Sequence, residues 1–152
     1  MKWDKDDLKV YYKSKEYVDT VCIPLAPISY EKEEEAVKLS NQYQSLQLLS
    51  TELERNYVGR MMLSPLYTYK KDKNMEMEIK RMNQWIHDFQ ADFKHVFLLT
   101  FDVNWRKQEK DLDGQLIWLP GTSIEAQPTE LTKKWIQEQI SQISELIQSY
   151  WD

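Results

Sequence analysis

Apolar positions recur at two periods along the chain, and these divide it into alternating helices and strands. Between residues 31 and 57, Leu39, Tyr43, Leu46, Leu49 and Leu53 fall three and four apart, the spacing of one helical face. Met75, Ile79, Met82, Ile86, Phe89 and Phe93 repeat that spacing over 74–93. Leu131, Trp135, Ile136, Ile140, Ile143, Ile147 and Tyr150 do so again after Pro128 and Thr129, where Thr129 suits an N-cap. A shorter helix is expected near the start. Asp4 can cap it, Asp7 stands at the capping-box offset, and Leu8, Tyr11 and Tyr12 give it a partly apolar side.

Short apolar runs lie between these helices. Residues 96–101 are almost wholly apolar, as in a strand covered on both faces. Residues 18–23 predict a strand that ends in a proline-rich loop, because Pro24 and Pro27 cannot donate to a central ladder. Residues 60–63 predict another, halted by Ser64 and Pro65, with 66–69 as a resumption. Residues 116–119 predict a fourth strand, closed by Pro120 and Gly121. Residues 70–74 and 103–113 read as polar connections. The alternation predicts a single α/β domain over 1–152. It is a small, mostly parallel sheet of about four strands flanked by helices, Rossmann-like or flavodoxin-like but without a nucleotide motif. The direction of the fourth strand stays open, since the connection before it suits a parallel crossover or an antiparallel return.

Composition narrows the function classes. The chain carries a net charge of -5, and phosphate backbones would need a basic patch that Lys70, Lys71 and Lys73 or Lys133 and Lys134 are too few to supply. Nucleic acid is therefore the weakest partner class. Cys22 is the single cysteine, which excludes an intrachain disulfide and points to a reducing compartment. No apolar run approaches the roughly 18 residues of a membrane span, and no signal-peptide pattern opens the chain, so a cytoplasmic protein is expected.

Candidate chemistry follows from the predicted sheet, because open parallel sheets bind ligands beyond the carboxyl ends of their strands. The predicted exits supply Ser29 and Tyr30, Ser64 and Tyr67, Asp102, Trp105 and Arg106, and Thr122 and Ser123 as candidate ligand-binding residues. Asp102 is the one weak candidate for a general base, and Arg106 could hold an anion. Each has a plainer role beside this: Asp102 braces its loop, Arg106 is a solvated surface cation, and Trp105 and Trp118 fill the core. Glycine-rich phosphate loops, a GxSxG elbow and HExxH are absent, and His87, His95 and Cys22 form no metal-ligand spacing. No cofactor or metal is expected. The residues favour a non-catalytic domain for protein interaction or small-ligand sensing. Its partner would be another protein, a second copy docked through the last helix, or a small molecule. The alternative is a small transferase or hydrolase working at the strand exits.

The opening MKWDKDDLKVYYKSKEYVDTVCIPLAPISY, with Trp3, the run Glu16-Tyr17-Val18-Asp19-Thr20 and Pro24-Leu25, resembles the uncharacterised YpiF-like family of Bacillus and related bacteria. The likeness extends through most of the chain, including residues 116–121. The resemblance implies a domain of unknown function with a cytoplasmic accessory role. It brings no established functional residues to carry over.

Overall fold

The computed structural model of the chain describes residues 1–71, 74–121 and 129–152. Helix α1 spans Lys5–Lys13 and strand β1 Thr20–Ile28. Helix α2 (Glu33–Asn56), strands β2 (Met61–Leu63) and β3 (Tyr67–Lys70) and helix α3 (Glu76–Gln90) follow. The chain continues through strand β4 (His95–Thr100), helix α4 (Val103–Lys107), strand β5 (Gln115–Trp118) and helix α5 (Glu130–Trp151). Every strand pairing is parallel, in the order β2-β1-β4-β5, with β3 also on β1 beyond β2. Counting β2 and β3 as one interrupted strand, this is the 2-1-3-4 order of a doubly wound sheet. The fold is thus the expected α/β arrangement, a mostly parallel sheet flanked by helices, Rossmann-like or flavodoxin-like, and β5 runs parallel to β4.

Side-chain alternation sorts the core into two layers. Val21, Ile23, Leu25, Val96, Leu98 and Leu116 face α1, α3 and α4, where Tyr11, Met82, Ile86, Phe93 and Trp105 cover them. Cys22, Ala26, Phe97, Leu99 and Ile117 face α2 and α5, beneath Leu46, Leu49, Leu53, Ile136, Ile143 and Ile147. Most of the α5 stripe therefore covers the sheet rather than open solvent. Helix ends follow local chemistry. Asp4 accepts from the Asp7 N–H at 2.8 Å, Thr129 accepts from the Thr132 N–H at 3.2 Å, and Gly59 takes φ +89° just past α2. Asp7 does not close the expected box onto Asp4; its carboxylate accepts from the Lys2 N–H at 2.7 Å.

Three expectations are corrected. First, β1 does not stop at residue 23 but runs through both prolines to Ile28. Thr20 donates its N–H to Arg60 O and Cys22 O accepts from Ser64 N–H, so even-numbered residues of β1 turn their backbone groups toward β2 and β3. Pro24 consequently faces the interruption at 64–66, where no ladder partner exists to miss its N–H. Pro27 is odd-numbered and lies beyond Leu25↔Thr100, the last pair with β4. Second, β3 extends the second strand to Lys70, so Ser64 lies in the interruption, Tyr67 lies within β3, and the true exit is at Lys70-Lys71. Third, residues 103–113 are not a plain polar connection. They hold α4 and a 3-10 turn at Glu109–Asp111, with Asp102 as the cap of α4.

Candidate functional site

Because all strands are parallel, the remaining exits share one edge. The order reverses between β1 and β4, which places the topological switch point there. A cleft of about 460 Å³ opens at that point, with Pro27 and Phe101 on its floor and Lys38, Lys71, Glu35 and Asp102 around it. Its charges are partly spent on each other, since Lys71 reaches Glu35 at 3.5 Å. A broader, shallower depression lies beside it, edged by Gln42, Phe101, Trp118 and Gly121.

Asp102 is held by its own fold. One carboxylate oxygen accepts from the Asn104 N–H at 3.0 Å, and the other accepts the Tyr69 hydroxyl at 2.5 Å. The same Tyr69 oxygen accepts the indole N–H of Trp105 at 2.6 Å. Trp105 is fully buried, and burial followed by the neighbouring Asp102 charge pushes the Tyr69 phenol far above its ordinary range. Asp102, Tyr69 and Trp105 thus form one closed network that ties β3 to the start of α4. Arg106 lies with its guanidinium carbon 4.4 Å over the Trp118 ring. It borders a different depression from Asp102, beside Leu116 and Ile143, so the two groups do not converge on one ligand.

The other candidates disperse. The Ser29 hydroxyl accepts from the Glu31 N–H at 3.3 Å, a turn contact, and Tyr30 stands 91 % exposed next to α2. Tyr67 donates its hydroxyl to Glu78 at 2.6 Å; burial, then that carboxylate, push its phenol up to about 12. Thr122 and Ser123 lie outside the described residues, as do Lys73 and Pro128. Among the described residues no group of three or more His, Cys, Asp or Glu is placed to hold a metal ion, and no helix is long and apolar enough to cross a membrane.

Two clusters that sequence patterns did not single out are well formed. At the amino end of the sheet Arg60 grips Asp19 through Nε and Nη2 at 3.2 and 3.3 Å and stacks 3.7 Å over Trp151. The Trp151 indole donates to Thr20 Oγ1 at 2.8 Å, fastening the end of α5 to the start of β1. Burial would raise the Asp19 carboxyl, but bonds from Arg60 and Thr20 outweigh it and leave it below the usual range. Every charge in this clasp is matched internally.

The second cluster is a cleft of about 440 Å³ between α1, β2 and α3. Its wall is a run of touching rings. Tyr12 meets Tyr11 at 5.0 Å, Tyr11 stacks on Phe93 at 5.8 Å, Phe93 meets Phe89 at 6.2 Å, and Phe89 meets Trp85 at 5.8 Å. Trp3 and Tyr12 remain about 70 % exposed at its mouth, and Trp85 is 40 % exposed. Val21 and Met62, both buried, line it together with the exposed Pro65, and Ser64 lies there too, so one sequence candidate does border a ligand-sized cleft. The Lys15–Asp92 ion pair at 2.9 Å closes the rim, and that bond, ahead of the charge itself, holds the Lys15 ammonium above its usual range. Burial raises the Tyr11 phenol on the inner wall. Beyond the apolar positions Tyr11, Tyr12, Phe89 and Phe93, the further sequence signal is Trp85, which widens the α3 stripe by one position beside Met82, Ile86 and Phe89.

The chain is similar to a protein described as uncharacterized protein YpiF of Bacillus subtilis (strain 168). The two are 32 % identical over 151 residues, covering 99 % of this chain and 98 % of that one. No solved structure matches it significantly. Residues 9–151 match the family model described as a protein of unknown function (DUF2487), and together with the full-length relative this places the chain in that family.

Proposed function

We propose that this protein is a non-catalytic, single-domain binding module of the cytoplasm that seats an apolar ligand group in the cleft between α1, β2 and α3. One observation carries the reading. The cleft joins ligand-sized volume to a wall of aromatic rings, of which Trp3, Tyr12 and Trp85 are exposed, the make-up of small-molecule sites in general. Exposed aromatic surface of that kind is unfavourable in water unless something covers it. At the switch point, by contrast, Asp102 is engaged in capping and Lys71 and Glu35 in an ion pair. A cytoplasmic setting is supported by the lone cysteine, buried and free at Cys22.

The test is a thermal-shift screen of small apolar fragments, followed by nuclear magnetic resonance of the six indole N–H groups. A fragment held at about 100 times its Kd should stabilise the fold by about 2.7 kcal/mol. For a domain of this size that raises Tm by roughly 5–10 °C. The Trp3 and Trp85 signals should move while Trp118 stays. Fragments that shift Trp118 and spare Trp85 would move the site to the carboxyl edge and overturn the reading.

A further inference from the structure

The ring cleft has a chemistry that narrows what it can take. Resting on the binding role proposed above, we infer that its ligand is a neutral, planar, largely apolar molecule of two or three rings, selected against charged analogues. Size sets the first limit: an apolar cavity of about 150 Å³ accommodates one benzene ring, so about 440 Å³ of open cleft suits a few fused or linked rings.

Ring geometry selects planarity. Phe93 and Phe89 cross at 83°, and Phe89 and Trp85 cross at 88°. Successive rings of the wall therefore meet face to edge, and Trp3, Tyr12 and Trp85 leave aromatic surface open to a guest. A flat aromatic guest can stack on one and meet the edge of the next, contacts that a flexible aliphatic chain makes only as buried area. Charge selection follows from the rim. The charged side chains at the cleft are Lys15 and Asp92, and they neutralise each other at 2.9 Å. Lys15 also lies 5.8 Å from the Tyr12 ring centroid, so the cation-attracting face nearest the rim already has its cation. An ionised guest would leave water without finding an unpaired countercharge, whereas a neutral one loses nothing there. One hydroxyl or carbonyl on the guest can still share the ion pair at the mouth.

Three probes on the full chain test this. N-phenyl-1-naphthylamine is neutral, 1-anilinonaphthalene-8-sulfonate keeps a similar ring frame with an anionic group, and 1-methylquinolinium is a flat cation. Affinity is read by fluorescence or by indole resonances, with Trp3 and Trp85 reporting on the cleft. The neutral probe should bind at one site at least tenfold more tightly than either charged probe. Trp85→Leu, a change on a partly exposed helix face, should weaken it about tenfold while the far-ultraviolet spectrum and Tm hold. Equal or tighter binding of a charged probe with Trp85 shifted would overturn the selection by charge but leave the cleft as the binding site. If all three probes leave the Trp3 and Trp85 signals unmoved, both the inference and the binding role fail together.

Discussion

Trp105→Ala is expected to lower the unfolding free energy by about 3–5 kcal/mol, a large share of the roughly 5–15 kcal/mol that holds an ordinary domain. Trp105 is wholly buried where α4 meets the sheet, so the truncation opens a cavity that neighbouring strands cannot close. The sharper experiment is Tyr69→Phe, which keeps the ring and removes one oxygen. That oxygen receives the buried Trp105 N–H at 2.6 Å and donates to Asp102 at 2.5 Å. Without it a buried donor is stranded, at about 1–3 kcal/mol, and a charge-assisted bond disappears. A loss of about 3 kcal/mol in urea unfolding, at unchanged m-value, is the expected result for Tyr69→Phe. A double-mutant cycle with Asp102→Asn should show coupling of about 1 kcal/mol or more, since the residues share one network. Additive losses, or a Tyr69→Phe loss below about 0.5 kcal/mol, would mean that Asp102 is not held by this network. It would then be free for other chemistry at the switch point.

That network also marks where the sequence stops being readable. The long helices were legible because their stripes are local: 31–57, 74–93 and the segment from Thr129 correspond to Glu33–Asn56, Glu76–Gln90 and Glu130–Trp151. The extent of β1 was not, because the rule against proline in a sheet depends on what lies opposite. Nothing near Pro24 in sequence says that the neighbouring strand breaks at Ser64. The direction of β5 hung on whether 103–113 could make a crossover. That depended on a five-residue helix whose cap, Asp102, is also steadied by a tyrosine 33 positions earlier. The exits of β4 and β5 were placed well enough to locate the shared edge, whereas that of β1 was set at Pro24 although the strand runs on to Ile28. Ser64 and Tyr67 were misplaced with the second strand, since its resumption carried the exit on to Lys70. The ring cleft was invisible for a different reason. Its walls come from α1, β2 and α3, and periodicity marks Tyr11, Phe89 and Phe93 as apolar without saying whether they meet fully or leave a gap.

Alkaline unfolding provides the second large effect. The Cys22 thiol faces α2 and α5 with no exposure, and burial pushes its pKa up from 9.0 to about 12. In the unfolded chain that thiol ionises near 9, so between pH 9 and 12 the unfolded state binds fewer protons and stability falls as pH rises. Tyr69 acts with the same sign from pH 10 upward, because its unfolded phenol ionises near 10.0 while the folded one stays protonated. Tyr67, raised from 10.0 to about 12, acts the same way and by nearly as much up to pH 11. At pH 11 Cys22 contributes a loss of about 2.7 kcal/mol, and Tyr69 and Tyr67 about 1.4 kcal/mol each, roughly 5–6 kcal/mol together. Stability from urea titrations should therefore hold steady through pH 8, then drop with a slope that approaches three protons. Cys22→Ala removes one of them: the variant starts less stable at pH 7, by the buried atoms lost, yet falls less steeply above pH 9. Ellman's reagent gives an independent check, since a protonated, enclosed thiol reacts only through opening of the fold. Immediate reaction of native Cys22 at pH 8, or a Cys22→Ala profile parallel to that of the parent, would show that the thiol is not shut between the sheet and its two covering helices.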